Sequence, residues 1–270
     1  MKAEGDTGRM STLAEPRALL AIHGFLSHIG RATLMAWAVV RELPYPRRYM
    51  RSFLQQAYWM GVRSLPLVLI MAVLGGAVTS QTTGNQFTGS VPVWVVGSVT
   101  VASMITELGP ILTGVVLVGR IGASIAAELA SMKVTEQIDA LYAMGRDPVA
   151  YLVVPRVLGG LVVLPPLVAL ADFAGIMSGW LVGLVAVDGL TTAEFIYGAR
   201  FYFRPWALYF SVIKAAFFGL AITFLACYIG LEGGRGGAEG VGRTTTAAVV
   251  ATTLVLMILD MMLAPLLKMW

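Results

Sequence analysis

SLPLVLIMAVLGGAVTSQTTGNQFTGSVPVWVVGSVTVASMIT, residues 64–106, runs for 43 residues without one Asp, Glu, Lys or Arg. A membrane-crossing helix needs about 20 mainly apolar residues, so this stretch holds one whole span and much of a second. The polar break QTTGNQFTGS (81–90) is where the chain is expected to turn. Span one is placed near 64–80 and span two near 91–118.

Working outward, the same pattern recurs. A third apolar run follows Arg156 and continues to about Val187. It is long for one span and short for two, and Pro165–Pro166 would kink it. We place span three at 157–187, span four at 206–229 and span five at 245–266. Splitting the third run would make six. The whole chain is 57% hydrophobic and 13% charged, against roughly 25% charged residues in soluble domains. The expected fold is an all-α integral membrane protein. Residues 1–63 form a tail with interfacial and elbow helices, and residues 64–270 form the transmembrane domain.

Lysine and arginine are distributed unequally about these spans. Nine lie in residues 1–63, four in 120–156 and two in 231–243. Five spans put those three regions on one side. The other side holds none in 81–92 and two, Arg200 and Arg204, between spans three and four. Because basic loops stay inside, the N-terminus is expected to be cytoplasmic. Glu4, Asp6 and Glu15 interrupt the N-terminus, and no signal-peptide core follows directly. Ile22, Phe25, Leu26 and Ile29 recur at helical spacing before span one, as in a helix lying in the membrane interface. A core helix of a small cytosolic subdomain is the alternative. The basic, aromatic segment 47–63 would then turn the chain up into span one.

One segment departs from this apolar pattern. RIGASIAAELASMKVTEQIDALYAMGRDP, residues 120–148, is polar and falls on the cytoplasmic side. A block of this polarity in a membrane chain presents a face to a cytoplasmic partner.

Few chemistries survive inspection. The lone Cys227 and the two histidines, His23 and His28, exclude a disulfide framework and a cysteine- or histidine-built metal centre. GAEGVGRT (237–244) nearly spells a P-loop, but Arg243 stands where Lys is needed and a membrane span precedes it rather than a strand. It reads as a flexible glycine-rich loop. No catalytic constellation emerges, so the chain is expected to be no enzyme and to hold no cofactor.

Four ionisable residues fall at membrane depth: Glu107, Asp172, Lys214 and Asp260. Each costs about 2.5–3.5 kcal/mol at a helix centre, so each needs a partner or a cavity. A structural pair, for instance Asp172 with Lys214, accounts for part of this set. Glu107 is open to a functional reading as well, because Pro110 removes the amide that would bond the Thr106 carbonyl and loosens the helix there. Gly175, Gly179 and Gly183 strip one face of span three to backbone, for packing within the chain or against a second copy.

The motif ELGP (107–110), Gly119-Arg120, Gly122, Ala127-Glu128, Met132, Thr135-Glu136-Gln137, Ala140-Leu141, Met144, Asp147-Pro148 and Pro155-Arg156 together resemble the MlaE/YrbE family. Weaker likeness extends over residues 50–265. These are permease subunits of ABC-type phospholipid transporters that work with MCE-domain proteins. The resemblance implies a homodimer in the bacterial inner membrane, a separate ABC ATPase that binds the ATP, and a periplasmic MCE partner. By the same resemblance, 128–144 is a coupling helix. Glu128, Met132, Lys133, Thr135, Glu136, Asp139 and Met144 would face the ATPase. Thr79, Gln81, Gln86, Phe87 and Glu107 would line the lipid cavity. Where some members carry Arg before ELGP this chain has Thr106, which leaves Glu107 without an adjacent partner in sequence. The competing class is an ion-coupled secondary transporter titrating Glu107, Asp172 and Asp260. Inverted repeats would mark it, and the two halves show none. A lipid-modifying membrane enzyme would need a catalytic constellation that the chain does not display.

Overall fold

The computed structural model describes residues 17–86, 91–234 and 236–265, with side chains described from Leu26 onward. The described residues form helices and no strands, and five helices are long and apolar enough to cross a membrane. The chain is a multi-pass all-α membrane protein.

Helix α1 (Arg17–Glu42) lies outside the bundle and is followed by α2 (Met50–Gly61), the elbow. Met35 and Val39 of α1 are buried against the core, whereas Leu34, Trp37 and Val40 on other faces are exposed. An apolar exposed face on a helix too polar to span fits the membrane interface. Two polar clamps pin it to the end of span four: Arg31 pairs with Glu232 at 2.8 Å, and His28 Nδ1 lies 2.9 Å from the Tyr228 hydroxyl. Ile22 and Phe25 of the periodic set have side chains outside the described residues.

Span one is α3 (Leu65–Gln86). It outruns the expected boundary by six residues, because the polar stretch QTTGNQ stays helical. Thr79 and Thr83 satisfy their hydroxyls on the carbonyls four residues back, at 2.7 Å each, so these polar residues do not compete with the helix. Span two is α4 (Val95–Val134), one continuous helix that carries π turns at Met104–Leu108 and Val118–Gly122. The first fifteen residues of the polar block, Arg120 to Val134, thus extend a membrane span.

The polar block then breaks. Glu136 takes a left-handed conformation (φ 58°) and a short helix, α5 (Gln137–Ala143), follows. The single coupling helix expected over 128–144 is therefore two helices joined by a turn. Gly145, at φ 70°, ends α5. Its amide donates to Tyr142 O and that of Arg146 to Leu141 O, the Schellman pattern that needs glycine at this point. Asp147 accepts the Val149 amide at 2.9 Å, and Pro148 leads into the next helix, which accounts for the Gly-Arg-Asp-Pro turn.

That helix is α6 (Val149–Ala186), and it runs through Pro165–Pro166 without ending, so the third apolar run is one span. Its glycine face meets span one and the start of span two within the chain. A Cβ on Gly76 would overlap the Gly175 carbonyl, and one on Gly179 would meet Thr100. Beyond α6 comes a helix absent from the expected layout, α7 (Thr192–Tyr202). It starts from a capping box in which Thr191 and Glu194 satisfy each other's backbone amides. Span four is α8 (Pro205–Glu232) and span five is α9 (Gly237–Leu263).

The glycine-rich loop is much shorter than the 230–245 expected, since α9 begins at Gly237 and the near P-loop is helical. Thr244 Oγ1 accepts the Gly234 amide at 3.1 Å and donates to Gly240 O at 2.8 Å, which clasps the junction. Helix α6 is the axis of the bundle, packed against α3 on one side, α8 on another and α2 at its start. The α1 clamps, α5 and the α8–α9 junction gather at one end, and α7 lies at the other.

Candidate functional site

Pro110 has no amide to give the Thr106 carbonyl, and the helix widens into a π turn just before it, with the Gly109 amide donating to Met104 O. Lys214, arriving from α8, fills the vacancy. Its ammonium donates to Thr106 O at 3.1 Å and to Glu107 Oε2 at 2.6 Å, and lies 2.5 Å from Asp260 Oδ1 of α9. Two of the ammonium's three donors are spent on these hydrogen bonds, and Asp260 stands against it as an ion pair. Lys214 is 0% exposed. The rings of Phe210 and Phe218, one turn either side on α8, stand 5.8 and 5.9 Å from its nitrogen and add cation–π attraction. Spans two, four and five are tied at one buried charge.

The expected Asp172–Lys214 pair does not form. Asp172 Oδ2 instead accepts from Ser211 at 2.9 Å, and its other oxygen rests against the backbone of Gly109, where a Cβ would collide with it. Lys214 sits one turn further along α8 than Ser211 and reaches Thr106 and Glu107 instead. Periodicity reveals that four charges lie at membrane depth, but which of them meet depends on how each helix is rotated in the bundle. Glu107, without a neighbour in sequence, has its partner one hundred and seven positions away.

The cluster is not sealed. Glu107 is 39% exposed while Asp260 is 15% exposed, so one carboxylate of the three-way contact reaches the surface. Two carboxylates against one ammonium leave a formal excess of negative charge on that side. Thr79 is level with this point. Gly75 of α3 faces Leu112 of α4, and in antiparallel helices four residues forward from one and four back from the other bring Thr79 to the depth of Leu108. Gln81 and Gln86 are exposed and lie higher on α3, up to about 10 Å further along at 1.5 Å per residue. Thr79 and the glutamines are not in contact with Glu107 among the described interactions, and Phe87 lies outside the described residues.

At the other end of α4 the seven residues expected to face a partner fall into two groups. Glu128 pairs with Arg156 of α6 at 2.8 Å. The arginine is buried and also donates to Leu152 O at 2.7 Å. Lys133 reaches the Leu231 carbonyl at the end of α8, at 2.5 Å, and Met132 packs on the core. These three knit the bundle. Thr135, Glu136, Asp139 and Met144 are exposed on the turn and on α5, with Met144 at 65%. Ile138 and Leu141 anchor α5 inward, while Asp139, Tyr142 and Met144 stay exposed. Tyr142 was not anticipated: four residues after Ile138 it falls beside the buried stripe, and only its 61% exposure in the structure shows it to be available.

A buried lysine contacts spans two and five at membrane depth, and one continuous helix joins that point to the turn before α5. The sequence matches the family described as permease MlaE over residues 53–266. The chain belongs to the MlaE permease family. It is similar to a probable ABC transporter permease protein of Rickettsia felis, 38% identical over 234 residues, which is 87% of this chain and 90% of that one. A probable ABC transporter permease protein of Synechocystis is 36% identical over 79% of this chain and 81% of its own length. The chloroplastic protein trigalactosyldiacylglycerol 1 of Arabidopsis thaliana is 33% identical over 86% of this chain and 65% of its own. The MlaE-family chain is thus the transmembrane, permease part of an ABC transporter.

Proposed function

We propose that this permease moves phospholipid between the bacterial inner membrane and a periplasmic MCE-domain protein, as a homodimer energised by a separate ABC ATPase. The observation that carries the proposal is the continuity of α4, which joins the α5 turn at one end to Glu107 at membrane depth. Movement imposed on α5 by an ATPase would reach the Lys214 cluster through one helix. The π turns at Met104–Leu108 and Val118–Gly122 mark where that helix can bend, since π turns are local widenings of the ladder found at functional sites. The name of the Arabidopsis relative contains a diacylglycerol lipid, which favours a lipid as the substrate.

In this reading the exposed side of Glu107, with Thr79 at the same depth and Gln81 and Gln86 above, faces the lipid. Lys214 holds Glu107 in place and neutralises it while the cavity is closed. Glu136, Asp139, Tyr142 and Met144 meet the ATPase on the cytoplasmic side, together with Thr135. Glu128, Met132 and Lys133 act behind them, keeping α4 fixed to α6 and α8.

The test is transport of labelled phospholipid in proteoliposomes containing the permease and its ATPase. Transport is expected to require ATP and to survive collapse of the proton gradient by a protonophore. Loss of transport on adding protonophore at constant ATP would replace this reading with an ion-coupled carrier that titrates the Glu107–Lys214–Asp260 cluster.

A further inference from the structure

A groove of about 570 Å³ opens on the side of the bundle at the α7 end, and its inner end reaches Ile105 and Asp172 beside the π turn. Ligand pockets fall in this size range. Its walls come from α4, α6, α7 and the start of α8, with Ile105, Phe173, Phe195 and Leu208 among them. Phe173, Ile196 and Leu208 are exposed, so the groove opens sideways, where a membrane span faces lipid.

Three polar groups are spaced along it. Arg200 of α7 stands at the mouth, exposed and with no ion-pair partner among the described residues. Trp180 of α6 lines the groove, and its indole nitrogen is shut off from the surface with no acceptor among the described residues. Asp172 closes the inner end, with its carboxylate turned into the bundle toward Ser211 and Gly109. Trp180 and Asp172 are eight residues apart on one helix, about 12 Å, and the wall between them is apolar.

The depth of the mouth is set by α7. Trp94, Tyr197 and Phe201 form an aromatic cluster with centroids 5.1 to 6.1 Å apart, of the kind that marks the membrane–water boundary. The roof is fixed, because Ser98 Oγ donates to Gly198 O at 2.8 Å and a Cβ on Gly198 would collide with the Trp94 carbonyl.

We infer that this groove binds one phospholipid of the outer leaflet, with its phosphate at Arg200 and one acyl chain lying along α6 past Trp180 to Asp172. Cation and apolar trough follow the order of headgroup and chain. A partner's transmembrane helix is a poorer fit: it is 10–12 Å across and about 30 Å long, while this groove is roofed by α7 and stopped at Asp172. The inference concerns a site separate from Glu107 and does not rest on lipid being the transported substrate.

The experiment uses the full chain in detergent with a phosphatidylglycerol probe carrying a photoreactive group mid-chain, followed by peptide mapping. Label is expected to concentrate on α6 around Phe173 and on α4 at Val101–Ile105. Ala169→Trp and Ala199→Trp plug the groove from different walls, so misfolding of one leaves the other to decide; either is expected to reduce this label about tenfold. Arg200→Glu should reduce it several-fold and Arg200→Lys should retain most of it. Glu107→Gln, which the transport reading expects to impair lipid movement, should leave the label unchanged. Label spread over all lipid-facing helices, or undiminished in a folded plugged variant, would overturn the inference. So would a groove that becomes labelled only after a second protein or a second copy of the chain is removed.

Discussion

Charge is handled in opposite ways at the two ends of α4. At the π turn, the Lys214 ammonium is fully buried, hydrogen-bonded to Thr106 and Glu107 and paired with Asp260 of another span. At the α5 end, Glu136 and Asp139 stand exposed beside Tyr142 and Met144. The first arrangement is costly to disturb, because an ion left alone at membrane depth has no water to replace its partner. The second costs the fold almost nothing, and so is free to be shaped by whatever docks there. Between the two lies the Glu128–Arg156 pair, with the arginine buried and the glutamate 51% exposed, intermediate in both respects.

The comparison breaks most readily at Lys214. Lys214→Met leaves Glu107 and Asp260 without their cation and is expected to lower stability by about 3–5 kcal/mol, read as thermal unfolding in detergent. Adding Glu107→Gln and Asp260→Asn to the same chain should recover part of that loss. If the triple variant is no more stable than Lys214→Met, the ion contacts are not what holds spans two, four and five together.

A purely steric contact provides the next step down. Gly76→Val drives a side chain into the Gly175 carbonyl, and overpacking of this kind costs about 1–3 kcal/mol. Gly119→Val, on the same bundle but with open space at its Cβ, serves as the control and should unfold near the wild-type temperature.

Smaller again is Glu128→Gln. It keeps a hydrogen-bond acceptor for Arg156 but removes the charge, and the exposure of the glutamate screens the loss to about 1 kcal/mol or less. Urea or thermal unfolding should show a small shift; a loss as large as that of Lys214→Met would mean that the two ends of α4 are built alike. Finally, Tyr142→Ala and Met144→Ala should leave stability within about 0.5 kcal/mol. Each should weaken association with the ATPase about tenfold, the cost of losing one interface anchor. Pull-down titrations with unchanged affinity in both variants would remove α5 as the docking helix.

Reading the chain alone reached the class of fold and the apolar runs, because hydropathy over some twenty residues is a property of the local sequence; that the third run is one span took the structure. It also picked out Glu107 and the effect of Pro110, since a missing amide is local chemistry. The break at Glu136 was not legible. A non-glycine residue in the left-handed region carries little sequence signal, and the polar run 128–144 reads equally well as one helix. Helix α7 was missed because its apolar face is short and covered by span two, with Gly97 and Gly198 allowing the close approach. The wrong partner for Lys214 has the same origin as the uncertainty over Gly175, Gly179 and Gly183: both depend on which helix faces which.

The sequence by itself determined that this protein crosses a membrane several times, that its basic residues gather at one end, and that its polar block lies there. Each of these follows from how single residues partition between water and lipid. Only the tertiary structure decided that Lys214 joins Glu107 to Asp260 while Asp172 turns to Ser211, that Glu128 and Lys133 are spent inside the chain while Asp139, Tyr142 and Met144 remain available, and that Arg200, Trp180 and Asp172 share one groove. Such pairings are set by helix rotation and crossing, which arise from packing between segments distant in sequence and leave no local trace.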